Sequence, residues 1–406
     1  MLRVENFRSI SSIPANVWDG ILSVNDVFNT HQFITVVEEA RVENASFYYM
    51  LFYDESELVG HVVLSSFSIS LDLFISKNKL VRRIKRVFPD LFSVKILFCG
   101  LPVSFGQSNI KVKHDTYMHE ITGLIIMEME KIAVEEKINL LCAKEFKGNE
   151  SGLYTEFPKS NFFKAYSLPY MKMVVPWSSF TEYLKSMRHP YRRGIRLSLL
   201  KSKLTQPKIY LPHESFSDYY PVLVLGDITL LSAQDFYVMY LSVMDRTPTK
   251  LETLNLQFFQ GLQRHYQSKM EILKVQQHGK ILSAGILIQH QNELTFVLVG
   301  RNQAKDDAHS YFNLVYGIIQ LAISRGLDRI NLGQTAYWVK QRIGGEPTDV
   351  FIYFKSRNPF TNWILKKLNH VIFPKLNLKE LKVFHAHRSI IPESKSGEMV
   401  VVKKLN

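Results

Sequence analysis

Apolar residues alternate with polar ones along three consecutive stretches in the second half of the chain, a pattern that predicts β-strands. The stretches are Met270–Gln277, Ile281–Gln289 and Leu294–Gly300, and the polar turns 278–280 and 291–293 join them. Gly279 in the first turn can adopt the positive φ that a tight hairpin favours. The three stretches are therefore expected to form an antiparallel meander.

A helix and two further strands are predicted after the meander. From about Ala308 to Arg325 the apolar positions recur every three or four residues, and Gly326 follows as a typical helix-ending residue. A short strand is predicted at Arg329–Leu332, and a last strand at Asp349–Lys355 is expected to close the same unit. Residues 268–353 are thus predicted to form one compact α+β unit.

The first 150 residues repeat this order of elements. The predicted elements are short helices at 17–18 and 30–40, a hairpin of Tyr48–Tyr53 and Leu58–Phe67, a strand at Val94–Cys99, a helix at Thr116–Glu136 and a strand at Ile138–Lys144. Gly60 takes the place of Gly285, and Gly100 that of Gly300. We predict tandem units at residues 1–165 and 166–355, followed by a tail at 356–406. One larger α+β domain with chance similarity is the alternative.

Helices are expected to connect the two units. The pattern predicts a strand at Met171–Val175, and then helices near Ser215–Tyr220, Ala233–Asp245 and Leu251–Gln267. The last of these carries an apolar stripe that includes Leu254, Phe258 and Leu262. We interpret this region as core rather than as a site.

Composition and charge limit the class of protein. The chain has 406 residues, 46% hydrophobic residues and a net charge of +13, so it is long enough for two cores and favours an anionic partner. No apolar run approaches the roughly 20 residues of a membrane-spanning helix, and the N-terminal sequence lacks an apolar signal core. Two cysteines do not make a disulfide framework and suggest a reducing cytoplasm.

Basic residues concentrate in three stretches. They lie in an insertion at about 70–92, in a junction helix that carries Arg188, Arg192, Arg193 and Arg196, and in the tail, where Phe360, Trp363 and Leu368 interleave with lysines. Basic amphipathic segments of this kind bind phosphates or lie on anionic membranes. In each case the alternative is an ordinary solvated or docked helix.

The second unit resembles the GNAT acyltransferase fold, and in particular its double-domain Fem-like and BioF2-like branch. The resemblance rests on the glycine after the fourth strand (Gly300), on the helix from Tyr311 to Leu327, and on the segment from Leu332 to Gly344. It implies tandem GNAT-like domains, each with a mixed, mostly antiparallel sheet flanked by helices. It also implies an acyl-CoA or acyl-carrier-protein donor and no metal. The stretch GRNQAKDDAHSYF lacks the glycine loop of simple GNAT enzymes, so a carrier-borne or tRNA-borne donor is credible.

The resemblance and the fold together suggest site residues. The candidate catalytic residues are His309, Asp306, Tyr311 and Tyr337. The candidate cofactor-binding residues are Gly300, Arg301, Asn302, Gly333, Gln334, Thr335, Lys340 and Arg342. Tyr311 could donate a hydrogen bond to a leaving thiolate. The alternative interpretations are purely structural: Asp306 caps a helix, Tyr311 belongs to the core, and Lys340 is a surface charge.

A second group of residues is a candidate substrate site. Arg188, Arg192, Arg193 and Arg196 share one side of a helix and suit phosphates. His114, Tyr117 and Glu120 cluster at the start of another helix, where substrate chemistry or simple helix capping would explain them. The histidine spacing there is poor for a metal site.

These observations predict an enzyme. The predicted activity is N-acyl transfer from a thioester to an amine on a lipid precursor, sugar or amino-acid derivative, in the cytoplasm at the inner face of the membrane. One alternative is a Fem-like aminoacyltransferase that uses charged tRNA in peptidoglycan cross-bridge synthesis. Another is a non-catalytic binding protein on a GNAT scaffold.

Overall fold

The fold is a pair of mixed β-sheets, each flanked by helices. The computed structural model describes residues 2–70, 93–103, 105–150, 152–246, 252–302 and 309–385. Within these ranges the predicted α+β class with two sheet-and-helix halves is confirmed. The predicted basic insertion, the candidate Asp306 and the end of the tail lie outside the described residues. No helix within these ranges is both long enough and apolar enough to cross a membrane.

The bounds of the elements follow the chain order. The strands are β1 (Arg3–Phe7), β2 (Ser46–Asp54), β3 (Glu57–Ser70), β4 (Ser93–Cys99), β5 (Ile110–Val112), β6 (Leu140–Lys147), β7 (Phe163–Tyr166), β8 (Tyr170–Val174), β9 (Ile209–Tyr210), β10 (Val222–Asp227), β11 (Met270–Gln277), β12 (Lys280–His290), β13 (Glu293–Arg301), β14 (Arg329–Gly333), β15 (Glu346–Thr348) and β16 (Val350–Ser356). The helices are α1 (Ala15–Asp19), α2 (His31–Glu39), α3 (Met118–Glu135), α4 (Glu156–Lys159), α5 (Phe180–Ser186), α6 (His189–Lys201), α7 (Ala233–Met244), α8 (Leu256–His265), α9 (Ser310–Ser324), α10 (Tyr337–Arg342), α11 (Pro359–Lys367) and α12 (Asn369–Ile372).

The two sheets are built alike. The first has the order β1-β2-β3-β4-β6-β16-β7, with β5 beside β3, and the second has the order β15-β8-β14-β13-β12-β11-β10-β9. Both sheets are mostly antiparallel, and each contains a parallel pair in the same place, β4 with β6 and β13 with β14; the short edge strand β9 is also parallel to β10. The long helix that precedes β6 or β14 packs on the corresponding sheet.

The hairpin glycines matched in the sequence occupy similar places. A Cβ on Gly60 would lie 2.5 Å from the Ile121 side chain of α3, and one on Gly285 would lie 2.7 Å from Phe296 and 3.5 Å from Leu314 of α9. In both sheets the missing side chain therefore makes room beneath the long helix.

The two halves exchange strands. β8 follows β7 along the chain as β16 follows β15, so by order β8 is the last strand of the first half and β16 that of the second. β16 nevertheless pairs with β6 and β7 of the first sheet, whereas β8 pairs with β14 and β15 of the second. The expectation that the strand near 349–355 closes its own unit is therefore wrong. Tyr353 of β16 stacks on Phe157 at 5.0 Å and meets Phe146 edge-on at 5.3 Å, so its core contacts lie in the first half. The boundaries proposed near 165 and 355 remain a prediction.

One hydrophobic core joins the halves. It contains Phe33 and Val36 of α2, Phe258 of α8 and Ile286 of β12. A Cβ on Gly261 would lie 3.0 Å from Val36, so α2 and α8 approach closely at this glycine. The halves are therefore parts of one folded body.

Two sequence predictions in the connecting region are wrong. Residues 215–220 form no helix, and β10 was not predicted, although it is buried beside β11. A short apolar run such as VLVLGD carries no periodicity that separates strand from helix.

A buried histidine gives the fold a pH dependence. His61 of β3 stacks on Trp18 with ring centroids 3.8 Å apart, and burial together with the Lys111 cation lowers its pKa to about 3. The unfolded chain binds this proton near pH 6.5, so between these values the unfolded state holds about one more proton and stability rises with pH. His61→Phe should reduce the slope of unfolding free energy against pH by about 1.4 kcal/mol per unit.

Urea denaturation between pH 4 and pH 7 measures this slope. His213→Phe, at an exposed position, is the control for replacing an imidazole by a phenyl ring. An unchanged slope in His61→Phe would contradict the prediction.

Candidate functional site

The parallel pair of the second sheet opens into a cleft. β13 and β14 pair only at Glu293/Arg329, Leu294/Ile330 and Thr295/Asn331, and then diverge. A cavity of about 480 Å³ fills the opening, with residues 295–299 on one wall and residues 331–333 on the other. We call it the β13/β14 cleft. The divergence leaves one edge of each strand available to a bound chain.

Both halves of the protein line this cleft. α7 contributes Tyr240, Val243 and Met244, and the first half contributes Phe105 and Glu145. Phe105 belongs to the loop between β4 and β5. The site therefore depends on how the halves pack together.

Lys340 is a buried cation in the β13/β14 cleft. Thr335 and Ala336 have positive φ and turn the chain into α10, and the lysine side chain that follows is only 4% exposed. Its Nζ donates to the Gln334 carbonyl, and burial lowers its pKa to about 7. Near neutral pH this amine can therefore both accept and donate a proton.

Glu145 was missed by the sequence analysis. It lies in β6 at the irregularity in its pairing with β16, has φ of +72°, and is 6% exposed. Its carboxylate accepts hydrogen bonds from the Gly106 and Gln107 amides and from the Tyr170 hydroxyl, the last at 3.2 Å. In the sequence, Glu145 stands out only as one of two neighbouring charged residues, with Lys144, near the end of an apolar strand. That pattern indicates no particular function.

Six predicted site residues meet in the β13/β14 cleft. They are Arg301, Tyr311, Gly333, Gln334, Thr335 and Lys340. Burial raises the pKa of Tyr311 to about 12, so its hydroxyl remains a hydrogen-bond donor at neutral pH. These residues give the cleft a phenol and two cationic side chains beside an open strand edge.

Two predicted cofactor-binding residues, Gly300 and Asn302, and the predicted catalytic residue Tyr337 lie nearby but do not line it. A Cβ on Gly300 would lie 2.8 Å from Met239, so this glycine allows α7 to pack against β13. The Asn302 amide donates to the Leu282 carbonyl at 2.8 Å and extends the sheet. The Tyr337 hydroxyl donates to the Pro169 carbonyl at 3.1 Å.

His309 and Arg342 lie in a second cavity of about 280 Å³, between α6, α9 and α10. We call it the α6/α9/α10 cavity. His309 Nε2 is 3.4 Å from Lys201 Nζ, and the Arg342 guanidinium lies 4.4 Å from the centre of the Trp338 ring. His309 is therefore not placed with Tyr311, and its catalytic role remains a prediction.

The predicted substrate-binding residues line neither cavity. Arg188 and Arg192 donate to the Phe384 and Met187 carbonyls, and Arg193 and Arg196 are exposed on α6. Their role as substrate ligands remains a prediction.

The second predicted substrate group lies at the start of α3. The Tyr117 hydroxyl donates to Asp54 at 2.9 Å, Glu120 accepts from the Leu2 amide at 3.2 Å, and His114 is exposed. Among the described residues, no group of three or more His, Cys, Asp or Glu is placed to hold a metal ion.

The two mixed sheets and the cleft between diverging parallel strands define a GNAT-type fold in tandem. The chain belongs to the FemAB-like family, whose model, described as peptidoglycan biosynthesis/recognition, matches residues 9–364. The family match and the paired sheets confirm the expected Fem-like, tandem GNAT-type architecture.

Solved structures and curated proteins add more distant similarities. FemX is 11% identical, with a TM-score of 0.53, over 89% of this chain and all of its own. A tandem GNAT protein from the clavulanic acid biosynthesis pathway is 8% identical, with a TM-score of 0.48, over 88% and 99% of the two chains.

A Mycobacterium tuberculosis protein provisionally named 8-amino-7-oxononanoate synthase 2 is 23% identical over 80% of this chain. The chain spans 41% of that relative's length.

The buried lysine should weaken the fold below pH 10. The unfolded chain protonates Lys340 near pH 10.4 and the folded chain near pH 7, so the unfolded state binds more protons between these values. The destabilisation is complete below pH 7 and disappears as pH approaches 10.4. Lys340→Met should therefore raise the unfolding free energy by on the order of 2 kcal/mol at pH 6, and by much less at pH 9.5.

Urea denaturation at the two pH values measures the difference, with the exposed Lys131→Met as control. A loss of stability at pH 6 in Lys340→Met would show that the lysine supports the fold.

Proposed function

We propose that this protein is an N-acyltransferase that moves an acyl group from a thioester to an amine. The donor is acyl-CoA or an acyl-carrier protein, and the acceptor is a lipid precursor, a sugar or an amino-acid derivative. The observation that carries this proposal is a buried lysine of lowered pKa in a cleft between diverging parallel strands.

The cleft suits an extended donor that carries amide groups. Beyond Thr295, β13 no longer pairs with β14, so a pantetheine-like arm can hydrogen-bond to the open strand edge. Arg342 and Lys201, in the α6/α9/α10 cavity, are suited to phosphates at the other end of such a donor. α10 and the first turn of α9 border both cavities.

The acceptor must lose a proton before it can react. An alkylamine with a pKa near 10.4 is neutral in only about one molecule in a few thousand at pH 7, a handicap of roughly 4–5 kcal/mol. Neutral Lys340 can accept this proton inside the cleft and hold it for the leaving group, because an amine with a pKa near 7 both gains and loses a proton readily at neutral pH.

The transfer then balances. The amine nitrogen attacks the thioester carbonyl carbon, a C–N bond forms, and the C–S bond breaks to give an amide and a thiolate. The proton held by Lys340 passes to the thiolate, and the second amine proton leaves to solvent. The Tyr311 hydroxyl can donate a hydrogen bond to the thiolate, whereas the Glu145 carboxylate can attract the acceptor ammonium.

We further propose that the reaction takes place in the cytoplasm at the inner face of the membrane. A Fem-like aminoacyltransferase that uses charged tRNA is the second candidate, favoured by the family match over residues 9–364. In that case an ester of an amino acid takes the place of the thioester, and the amine attacks in the same way.

Donor binding is tested by thermal shift. Purified protein is titrated with free CoA, acetyl-CoA, palmitoyl-CoA below its micelle concentration, an acyl-carrier protein and a charged tRNA. A specific donor at about a hundred times its Kd should add about 2.7 kcal/mol of stability. A shift with a thioester supports N-acyl transfer, a shift with the charged tRNA alone supports the second candidate, and no shift with any donor contradicts both.

The role of Lys340 predicts a pH profile. If the lysine accepts the proton, kcat/KM with the active donor should rise with pH and level off above about pH 7. Lys340→Met and Lys340→Arg should both lose roughly a hundredfold or more, because neither side chain can accept a proton at this pH. Lys131→Met on α3 is the surface control. A rate that falls above pH 7, with activity retained by Lys340→Arg, would assign the lysine a purely cationic role.

A further inference from the structure

The helices that follow β16 present an apolar outer face. Phe360 and Trp363 of α11 are 70% and 58% exposed, and their rings stack with centroids 6.4 Å apart. Leu368 and Val371 continue the same exposed strip. We call this strip, with the exposed Lys366 and Lys367, the α11–α12 surface.

This exposed strip is not the face by which the helices join the fold. Leu365 and Phe373 pack on the other side, against the first sheet, where Phe373 lies 5.5 Å from Phe354 and 6.5 Å from Phe163. The core contact of the two helices is therefore already made, and the outer apolar side chains lie beyond it.

Hydrogen bonds hold the orientation of the two helices. The Asn358 side chain caps α11 by accepting from the Thr361 amide at 2.9 Å. Asn362 donates to the Asn161 carbonyl at 3.0 Å, and Asn369 donates to the Lys164 carbonyl at 2.9 Å. The aromatic side chains are thus directed outward by a fixed backbone.

The charge around the strip is positive. Lys366 and Lys367 are exposed on the strip itself, whereas Arg357 and Lys375 form ion pairs with Glu130 and Asp349. In the sequence from 357 to 385, six lysines and arginines accompany one acidic residue, Glu380. A protein interface is depleted in lysine at its centre, whereas Trp and Phe beside lysines are typical of helices that lie in a lipid headgroup layer. The charge complements an anionic bilayer.

We propose that the α11–α12 surface docks the protein on an anionic lipid bilayer. Trp363 and Phe360 enter the boundary between headgroups and acyl chains, and Lys366 and Lys367 contact lipid phosphates. This deepens the proposed function, since it rests on that proposal for the use of an amphiphilic donor or acceptor. Lipid binding itself needs neither substrate nor turnover.

Co-sedimentation with vesicles tests the proposal. The full chain is mixed with vesicles of phosphatidylcholine alone or with added phosphatidylglycerol. It should bind the anionic vesicles at least about tenfold more tightly, and salt should weaken this binding. Equal binding to both vesicles, or none to either, would overturn the proposal.

Matched variants assign the surface. Phe360→Ser with Trp363→Ser, and separately Lys366→Glu with Lys367→Glu, should each lose about tenfold or more in affinity for anionic vesicles. Met127→Ser with Val134→Ser removes exposed apolar groups from α3, and Lys131→Glu with Lys137→Glu reverses two charges near its end. These controls should bind as the unaltered chain does, and equal losses in the controls would overturn the assignment.

Tryptophan fluorescence provides an independent readout. Trp338 is 63% exposed but lies in the α6/α9/α10 cavity, and Trp18 is fully buried. Brominated lipid should quench the unaltered chain and Trp338→Phe, but quench Trp363→Phe much less. Quenching that depends on Trp338 instead would place the bilayer elsewhere on the protein.

The two proposals fail in different ways. Thermal shifts with acetyl-CoA and palmitoyl-CoA are measured on the same variants without vesicles. Lost vesicle binding with unchanged donor shifts supports the surface. Vesicle binding without any donor shift supports the docking surface and contradicts the acyl-donor proposal. Donor shifts without vesicle binding support the acyl-donor proposal and contradict the docking surface.

Discussion

The exchange of β8 and β16 between the two sheets is the constraint on which the rest of the structure depends. β8 pairs along the outer side of β14, the strand that leaves β13 to open the cleft. β16 fills the place between β6 and β7 in the first sheet. Because each sheet is completed by a strand from the other half, the halves cannot separate without breaking a central ladder. The distance between Glu145 on one side and Lys340 on the other is fixed by this arrangement.

The cleft shows how a stable frame can hold an unfavourable group. Desolvation of Lys340 opposes folding at neutral pH, and the surrounding core compensates for it. The same desolvation brings the proton affinity of the lysine close to the working pH, which an exposed lysine does not achieve. The first half contributes a carboxylate held by two backbone amides and a tyrosine. A site of this kind needs both halves, even though only the second carries the recognisable motifs.

Periodicity in the sequence predicted most of the elements and their order. The meander β11–β13, the helix α9 and the hairpin β2–β3 came within a few residues of their observed limits, because alternation and helical spacing are local properties. The pairing of β16 is not local, since a strand pattern indicates which side is buried but not which sheet edge it meets. β10 was missed for a related reason: a wholly apolar run contains no alternation to detect.

The candidate site was predicted in part, and its division follows from helix geometry. Tyr311 and Phe312 are neighbours in sequence but point to different sides of α9, so the first lines the β13/β14 cleft and the second the α6/α9/α10 cavity. His309 and Arg342 line the α6/α9/α10 cavity with Phe312, whereas Lys340 lines the β13/β14 cleft with Tyr311. Glu145 could not be found from the sequence, because its importance comes from strand irregularity and from the packing of the two halves.

Strand exchange also has a consequence for the order in which the protein is made. β6 leaves the ribosome long before β16, with roughly 200 residues between Lys147 and Val350, which at ordinary rates of synthesis corresponds to about 10–40 s. Throughout this interval the nascent first sheet has a vacant position beside β6, with backbone amides and carbonyls that another strand could occupy. The emerging chain thus passes through a stage in which wrong pairing competes with correct folding. Slow translation or a chaperone at this stage would matter more than for two domains that fold one after the other.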